Sequence, residues 1–384
     1  MIKKIFPNNI KLPTGNTLNC FVNNNTGEPY GPPIYTRISH EVPLSMLEMS
    51  RGFNDYDYAL VHLFKDYPEY FNFYEKSVEM GRMVILDNSL YELGSAFDMK
   101  EYADWIEKLH PTHYIIPDTF WSAQATIDQA MEWMVNYGRM IHPSIKKIGV
   151  AQGSTYEEIK RCYTFMDSIG CDCIAFTFKF SPDMLKSEGI NLQAAFNNAK
   201  IRVAGYEISG EDLCEEDKQA ITRYMVLRQL AQDGVINPTK EHHLLGLQNT
   251  TALRACCSFP WVTSIDTSNP IINGFCGNIY YFNNEVLNDN SLIREEYDYI
   301  GNSGLKKPTT TLADVFTREL DEINEYWLRD IMHNVQAFRE VVNPAVLSTI
   351  LMHSDRIIND GCLPESIRNY KEIKSNIDDE RESE

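Results

Sequence analysis

From Tyr58 onward the sequence repeats one unit: a short apolar run, a few polar residues, then a stretch with helical periodicity. The apolar runs are Tyr58 to Phe64, Met83 to Leu86, Tyr114 to Ile116, Lys147 to Ala151, Cys173 to Phe178, His243 to Leu247 and Val262 to Ile265. Helical patterns fill the intervals, at Lys100 to Leu109, Ser122 to Tyr137, Tyr156 to Ile169 and Thr250 to Ser258. Several open on Ser or Thr in a capping position, and Ser154 stands three residues before Glu157, the spacing of a capping box. Strands that alternate with helices pair in parallel through right-handed crossovers. Seven or eight of them favour closure into an α/β fold of the (β/α)8 TIM-type barrel kind, with a doubly wound open sheet as the alternative.

A chain of 384 residues holds such a barrel and an appendage besides. Residues 1–57, rich in Asn, Gly and Pro, are expected to wrap the bottom or rim. Residues 58–305 form the barrel, with 181–241 too long for one crossover and read as an insertion that forms part of a substrate lid. Residues 306–372 read as a charged helical region, and 373–384 as an acidic disordered tail. Met1 to Pro13 lacks an apolar leader core, and no stretch approaches the roughly 18 apolar residues of a membrane span. A cytoplasmic protein without membrane contact is expected. The nine cysteines are scattered, so they are expected to be reduced and unpaired. A net charge of −19 argues against non-specific coating of nucleic acid while leaving room for a local basic groove.

In a parallel barrel the loops after the strands form the active face, so polar residues that end apolar runs are the candidates. Val84-Ile85-Leu86 leads to Asp87-Asn88-Ser89, Ile115-Ile116-Pro117 to Asp118, Gly149-Val150-Ala151 to Gln152-Gly153, and Val262-Thr263-Ser264-Ile265 to Asp266. Taken singly, each has a plain reading as an Asx turn or a cap for the next helix. Asp266, followed by Thr-Ser-Asn-Pro, is the most turn-like, whereas Asp118 is not needed as a cap because Ser122 supplies one. Turn chemistry accounts less well for all of them together.

The ordered series Leu86-Asp87-Asn88-Ser89-Leu90-Tyr91-Glu92, Pro117-Asp118, Gly149-Val150-Ala151-Gln152-Gly153, His243-Leu244-Leu245-Gly246-Leu247 and Ser264-Ile265-Asp266 resembles the motifs of the queuine-type guanine transglycosylases. It is most similar to their DNA-modifying branch, the DpdA-type DNA-guanine transglycosylases of phages and genomic islands. The resemblance implies base exchange in DNA, guanine being replaced by a 7-deazaguanine. Asp266 falls on the nucleophile that attacks the sugar C1′, and Asp87 on the general acid/base. Asp118 falls on the carboxylate that reads the guanine N1–H and 2-amino group, and Gln152, with Gly153, on the amide that reads O6. Tyr91 and Leu245 fall on the two faces of a base sandwich. Ile174-Ala175-Phe176-Thr177-Phe178 stands where the tRNA enzymes have Gly-Leu-Ala-Val-Gly, which places Phe176 at the base-contacting position.

The family's Asp-Ser-Gly-Gly-Phe-Gln is here Asp87 to Glu92 with both glycines replaced, so a remodelled pocket is expected. The zinc motif of the tRNA enzymes is not met either, since only Cys276 and Cys362 come after Asp266, and His333 and His353 lie far from both in sequence. No metal and no redox cofactor are expected. Cys171, Cys173, Cys256 and Cys257 read as core thiols, and His242 and His243 as structural. The implied partners are DNA and a free 7-deazaguanine base, with Lys146, Lys147, Lys179, Arg202, Arg254, Lys306 and Lys307 as candidates for phosphate contact. A homodimer and further protein partners stay open. The alternatives are a tRNA-guanine transglycosylase, a retaining glycoside or nucleoside hydrolase, whose paired carboxyls would stand about 5 Å apart, and a non-enzymatic base- or nucleoside-binding barrel.

Overall fold

The computed structural model describes residues 3–5, 20–22, 36–192, 201–203, 206–208, 215–247, 256–257, 259, 261–275, 278–281, 296–299, 331–335 and 338–339. These residues belong to one compact unit, Met1–Val342. Eight strands form a single parallel sheet: β1 (Arg37–His40), β2 (Asp57–Leu60), β3 (Val84–Asp87), β4 (His113–Ile115), β5 (Lys146–Ala151), β6 (Cys173–Phe176), β7 (Glu241–Leu244) and β8 (Val262–Thr267). Their order is β1-β8-β7-β6-β5-β4-β3-β2, so the first two strands meet across the seam of a nearly closed barrel. Asp55 bridges that seam. Its N–H donates to the Ile38 carbonyl at 2.9 Å, its Oδ2 accepts from the Ile38 N–H at 3.0 Å, and Arg339 donates to its Oδ1 at 2.9 Å.

All seven apolar runs are strands of this barrel, the fold class expected from the sequence. The eighth strand corrects the expectation for residues 1–57. Arg37–His40 is a barrel strand rather than part of a wrap, so the barrel begins some twenty residues before Tyr58. Its sequence, Arg-Ile-Ser-His, carries no apolar run. Ser39 and His40 are nonetheless 1% exposed, and His40 is buried because Asn54 accepts from its backbone N–H at 2.7 Å and meets its Nδ1 at 3.0 Å. Partners distant in sequence make this strand, and periodicity does not record them.

The longer helices between strands are α1 (Pro68–Glu79), α2 (Met99–Leu109), α3 (Ala123–Asn136), α4 (Tyr156–Ser168) and α5 (Glu215–Gln232), with α6 (Asn269–Phe275) after β8. Ser122 caps α3 as expected, accepting from the Ala125 N–H at 3.1 Å. The cap of α4 is Thr155 rather than Ser154, one residue later than the spacing suggested. Thr155 accepts from the Glu158 N–H at 3.3 Å, and the Glu158 carboxylate reaches back to Ser154 N–H and Oγ, both at 2.7 Å. Between β6 and β7 lie a 3-10 segment, Pro182–Glu188, an antiparallel pair, Ile201–Val203 with Tyr206–Ile208, and α5. Residues 331–335 and 338–339 are helical, whereas the rest of the C-terminal region, the acidic tail and most of the expected helix Thr250 to Ser258 lie outside the described residues. Among the described residues no helix is long and apolar enough to cross a membrane.

The sheet buries side chains on both faces, as a parallel sheet must. Phe176 and His242 point outward, where Tyr163 of α4 stacks on both at 5.8 Å and donates or accepts at His242 Nε2 over 2.9 Å. Cys162, Cys171, Cys173 and Cys256 are buried and unpaired, and burial raises each of these thiols. At the amino-terminal ends of the strands Arg82 grips Asp57 through Nε at 2.7 Å and Nη2 at 3.0 Å, with the Asp57 side chain 1% exposed. Arg82→Ala leaves that carboxylate buried without its cation, which costs about 3–5 kcal/mol. A urea midpoint within error of the parent protein would refute this role.

Candidate active site

The four residues singled out at strand ends stand at one end of the barrel. Asp87 is the last residue of β3, Asp118 comes three residues after β4, Gln152 comes directly after β5, and Asp266 is the penultimate residue of β8. Because every neighbouring pair of strands is parallel, these carboxyl ends share one face. Asp118, Gln152 and Asp266 are buried at 3%, 2% and 4% exposure, although all are polar. Buried polar groups need partners, and the partners define the site.

Asp118 is bound by two amides. Asn88 Nδ2 donates to Oδ1 and Gln152 Nε2 to Oδ2, each at 2.8 Å. Burial pushes this carboxyl up to about 6, while the two amide bonds pull the other way. Asp266 takes hydrogen bonds from two other sources. The Gly246 N–H straddles both oxygens at 3.1 Å, and His243 Nε2 reaches Oδ1 at 2.9 Å while its Nδ1 meets Ser264 Oγ at 2.9 Å. A carboxylate only accepts, so Nε2 carries the proton and Ser264 donates to Nδ1. Gly246 holds a φ of +56°, the left-handed region that glycine enters freely.

Asp87 lies beside this pair. Tyr58 donates to its Oδ2 and the Ser89 N–H to its Oδ1, each at 2.5 Å. The Tyr58 ring stacks on His243 with centroids 6.0 Å apart, so one aromatic contact joins the holder of Asp266 to the donor of Asp87. Burial, then the neighbouring Glu92, raises the Asp87 carboxyl well above its ordinary range despite those two hydrogen bonds. Ser89 occupies a position where the resembled motif has glycine, and its φ of +58° is glycine-like. Its hydroxyl meets His62 Nδ1 at 2.8 Å. The turn is therefore kept by hydrogen bonding, although both glycines are gone.

Two further carboxyls enter the site that strand-end patterning did not mark. Glu41 comes directly after β1, its N–H donating to the Thr267 carbonyl at 3.0 Å, and its side chain lies close enough to Asp266 for the two to act on each other. Burial and the charges of Asp266, Glu92 and Asp87 raise Glu41 well above its ordinary range. Glu92, in the short helix Leu90–Leu93, is pushed up to about 7, chiefly by burial. Glu41 adjoins the strand that periodicity missed, and nothing in its sequence neighbourhood signals it. His243 likewise belongs to the site, whereas the structural reading fits His242 alone.

Of the remaining expected residues, Tyr91 is half-exposed, with its ring edge-on to Phe178 at 5.3 Å. Leu245 is partly buried against the core. Gly153 has a packing reason to be glycine, since a Cβ there would lie 2.7 Å from Glu158 Cβ and 2.8 Å from Ile159 N, at the start of α4. Phe176 does not reach the mouth with its side chain, which is fully buried among Tyr163, His242 and Trp261 on the helix side of the sheet. Only its carbonyl is turned to other use, accepting from the Leu245 N–H at 3.0 Å and Arg223 Nη2 at 2.7 Å.

Fold and site together define the class: a nearly closed, eight-stranded parallel α/β barrel with a buried group of carboxyls at the carboxyl ends of its strands. No protein-family model matches this sequence, and none of the curated proteins does.

The carboxyls impose a pH dependence on folding. Glu92 and Asp118 bind protons more tightly in the folded chain, so their contribution is fully present below the ordinary carboxylate range and is lost as pH rises through about 6 for Asp118 and about 7 for Glu92. The urea midpoint should therefore fall between about pH 5 and about pH 8, and Glu92→Gln should shrink that fall. An equal fall in the variant would remove Glu92 from the explanation.

Proposed function

We propose that the protein exchanges a base in DNA, replacing guanine by a 7-deazaguanine through a glycosyl-aspartate intermediate. The observation that carries this reading is the unequal treatment of two neighbouring carboxyls. Both accept two or more hydrogen bonds, Asp266 from the Gly246 N–H and His243 and Asp87 from Tyr58 and the Ser89 N–H, yet burial and Glu92 still raise Asp87. An acid that burial inclines to keep its proton suits the proton donor, which leaves Asp266 for the nucleophile. The motif resemblance supplies the substrate class.

In this reading an Asp266 oxygen attacks the sugar C1′ as the C1′–N9 bond breaks, and the electron pair leaves on N9. The Asp87 carboxyl protonates the departing guanine there. Its carboxylate then takes the N9 proton of the incoming 7-deazaguanine, N9 attacks C1′, and the ester bond breaks to return the Asp266 carboxylate. Two inversions give net retention. Asp118 accepts from the N1–H and 2-amino group, and Gln152, already bonded to Asp118, presents its second amide hydrogen toward O6. The amides on Asp118 favour a purine edge over a sugar hydroxyl as its ligand, which weighs against a simple glycoside hydrolase.

Mass spectrometry of nucleosides from DNA or tRNA incubated with the protein and candidate 7-deazaguanines tests the polymer and the base together. Incorporation into DNA is expected. Incorporation into tRNA alone, or release of free base with no incorporation, would overturn the reading in favour of a tRNA enzyme or a hydrolase. Asp266→Asn should lower exchange by at least about a thousandfold and abolish the covalent adduct with DNA. Asp118→Asn should chiefly raise the KM for the base, because it removes the acceptor that reads two adjacent donors.

A further inference from the structure

The mouth is acidic, and this limits how a nucleic acid can be held over it. Glu41, Asp87, Glu92 and Asp266 act on one another there, and any of them that is ionised repels a phosphate. Attraction has to come from the rim. Of the basic residues offered by the sequence, Lys146 and Lys147 begin β5 and so stand at the opposite end of the barrel from the site. The side chains of Arg202, Arg254, Lys306 and Lys307 lie outside the described residues. Lys179 comes three residues after β6 and stands at the site end.

Lys179 is set among aromatic rings. Its ammonium is 5.2 Å from the ring centroid of Phe178, 5.3 Å from Phe120 and 5.9 Å from Tyr91. The rings come from the segments after β6, β4 and β3, and Phe178 meets Tyr91 and Phe120 edge-on at 5.3 and 6.2 Å. Phe178 also lies 3.4 Å from where a Cβ on Gly246 would be, which ties the group to the residue that holds Asp266. Tyr91 is 49% exposed, and Trp121, next to Phe120, is 40% exposed. Trp121 holds a φ of +63°, a conformation that a bulky residue enters at a cost. Core packing does not account for a tryptophan kept exposed in that conformation beside the site.

We propose that Lys179, Phe120, Trp121 and the outer face of Tyr91 form a platform for an unpaired nucleic-acid strand, on which bases flanking the target nucleotide stack while Lys179 meets a phosphate. The proposal rests on the reading that the substrate base belongs to a polymer. Unpaired bases offer flat faces to aromatic side chains, whereas a duplex keeps those faces stacked inside. The target base has to leave its stack to reach Asp118 in any case. An acidic mouth with its cation set among rings suits stacking better than the many phosphate contacts that duplex binding draws on.

The test is equilibrium binding of the full-length protein to a labelled strand of about 20 thymidines, alone or paired with its complement, so that no guanine is available on the labelled strand. Fluorescence anisotropy across a salt titration is the readout. The single strand is expected to bind at least about tenfold tighter than the duplex. Trp121→Ala should weaken single-strand binding by about tenfold and leave the salt slope unchanged. Lys179→Ala should reduce the slope of log affinity against log salt by about 0.7, the share of one phosphate on a single strand. Both variants should keep the parent's melting temperature and its affinity for a free 7-deazaguanine. Equal or tighter duplex binding, no strand binding, or parental binding by both variants would overturn the platform. Normal base exchange by such variants would leave the proposed function standing, whereas strand binding as described without exchange into any polymer would refute that function alone.

Discussion

Carboxyls brought out of water side by side repel one another and lose hydration, and the mouth of this barrel is organised around that cost. The fold meets it unequally. Asp266 is given N–H donors from Gly246 and His243, and Asp118 is given two amides. Asp87, although it accepts from Tyr58 and the Ser89 N–H, and Glu41 are driven toward their neutral forms by burial. The mouth thus holds some acids hydrogen-bonded as acceptors beside others driven toward their protonated forms.

The supporting groups come from around the sheet. Gly246 comes just after β7, His243 lies within it, Tyr58 belongs to β2 and Glu41 adjoins the end of β1. Their convergence requires the first and last strands to be adjacent, which is what the order β1-β8-β7 achieves. Asp55 at the seam, bonded to Ile38 and Arg339, is therefore part of what keeps Glu41 beside Asp266. The same closure brings loops after β3, β4 and β6 together, so Phe178 meets both Tyr91 and Phe120 at the site end of the barrel.

Seven strands, three of the helices between them and the strand-end positions of Asp87, Asp118, Gln152 and Asp266 were legible in the sequence, because they depend on local apolar runs and on the polar residues that end those runs. Strand β1 was not legible. Its burial rests on hydrogen bonds from Asn54 and Asp55, more than ten residues away, and not on an apolar run. The capping residue of α4 was missed by one position for a smaller reason: Ser154 and Thr155 both carry a suitable hydroxyl, and only the backbone conformation chooses between them.

By itself the sequence determined that strands and helices alternate, that the sheet is parallel, and that polar residues end several strands on one side. Those properties are carried by neighbours along the chain. Only the tertiary structure decided what each polar residue faces. It turned His243 inward onto Asp266 and His242 outward onto Tyr163, one position apart on the same strand, because successive side chains of a strand point to opposite faces. It also sent Phe176 to the helix layer and added Glu41 to the site. Which acid keeps its proton is fixed by burial and by partners from other strands, and neither is written in the residues beside it.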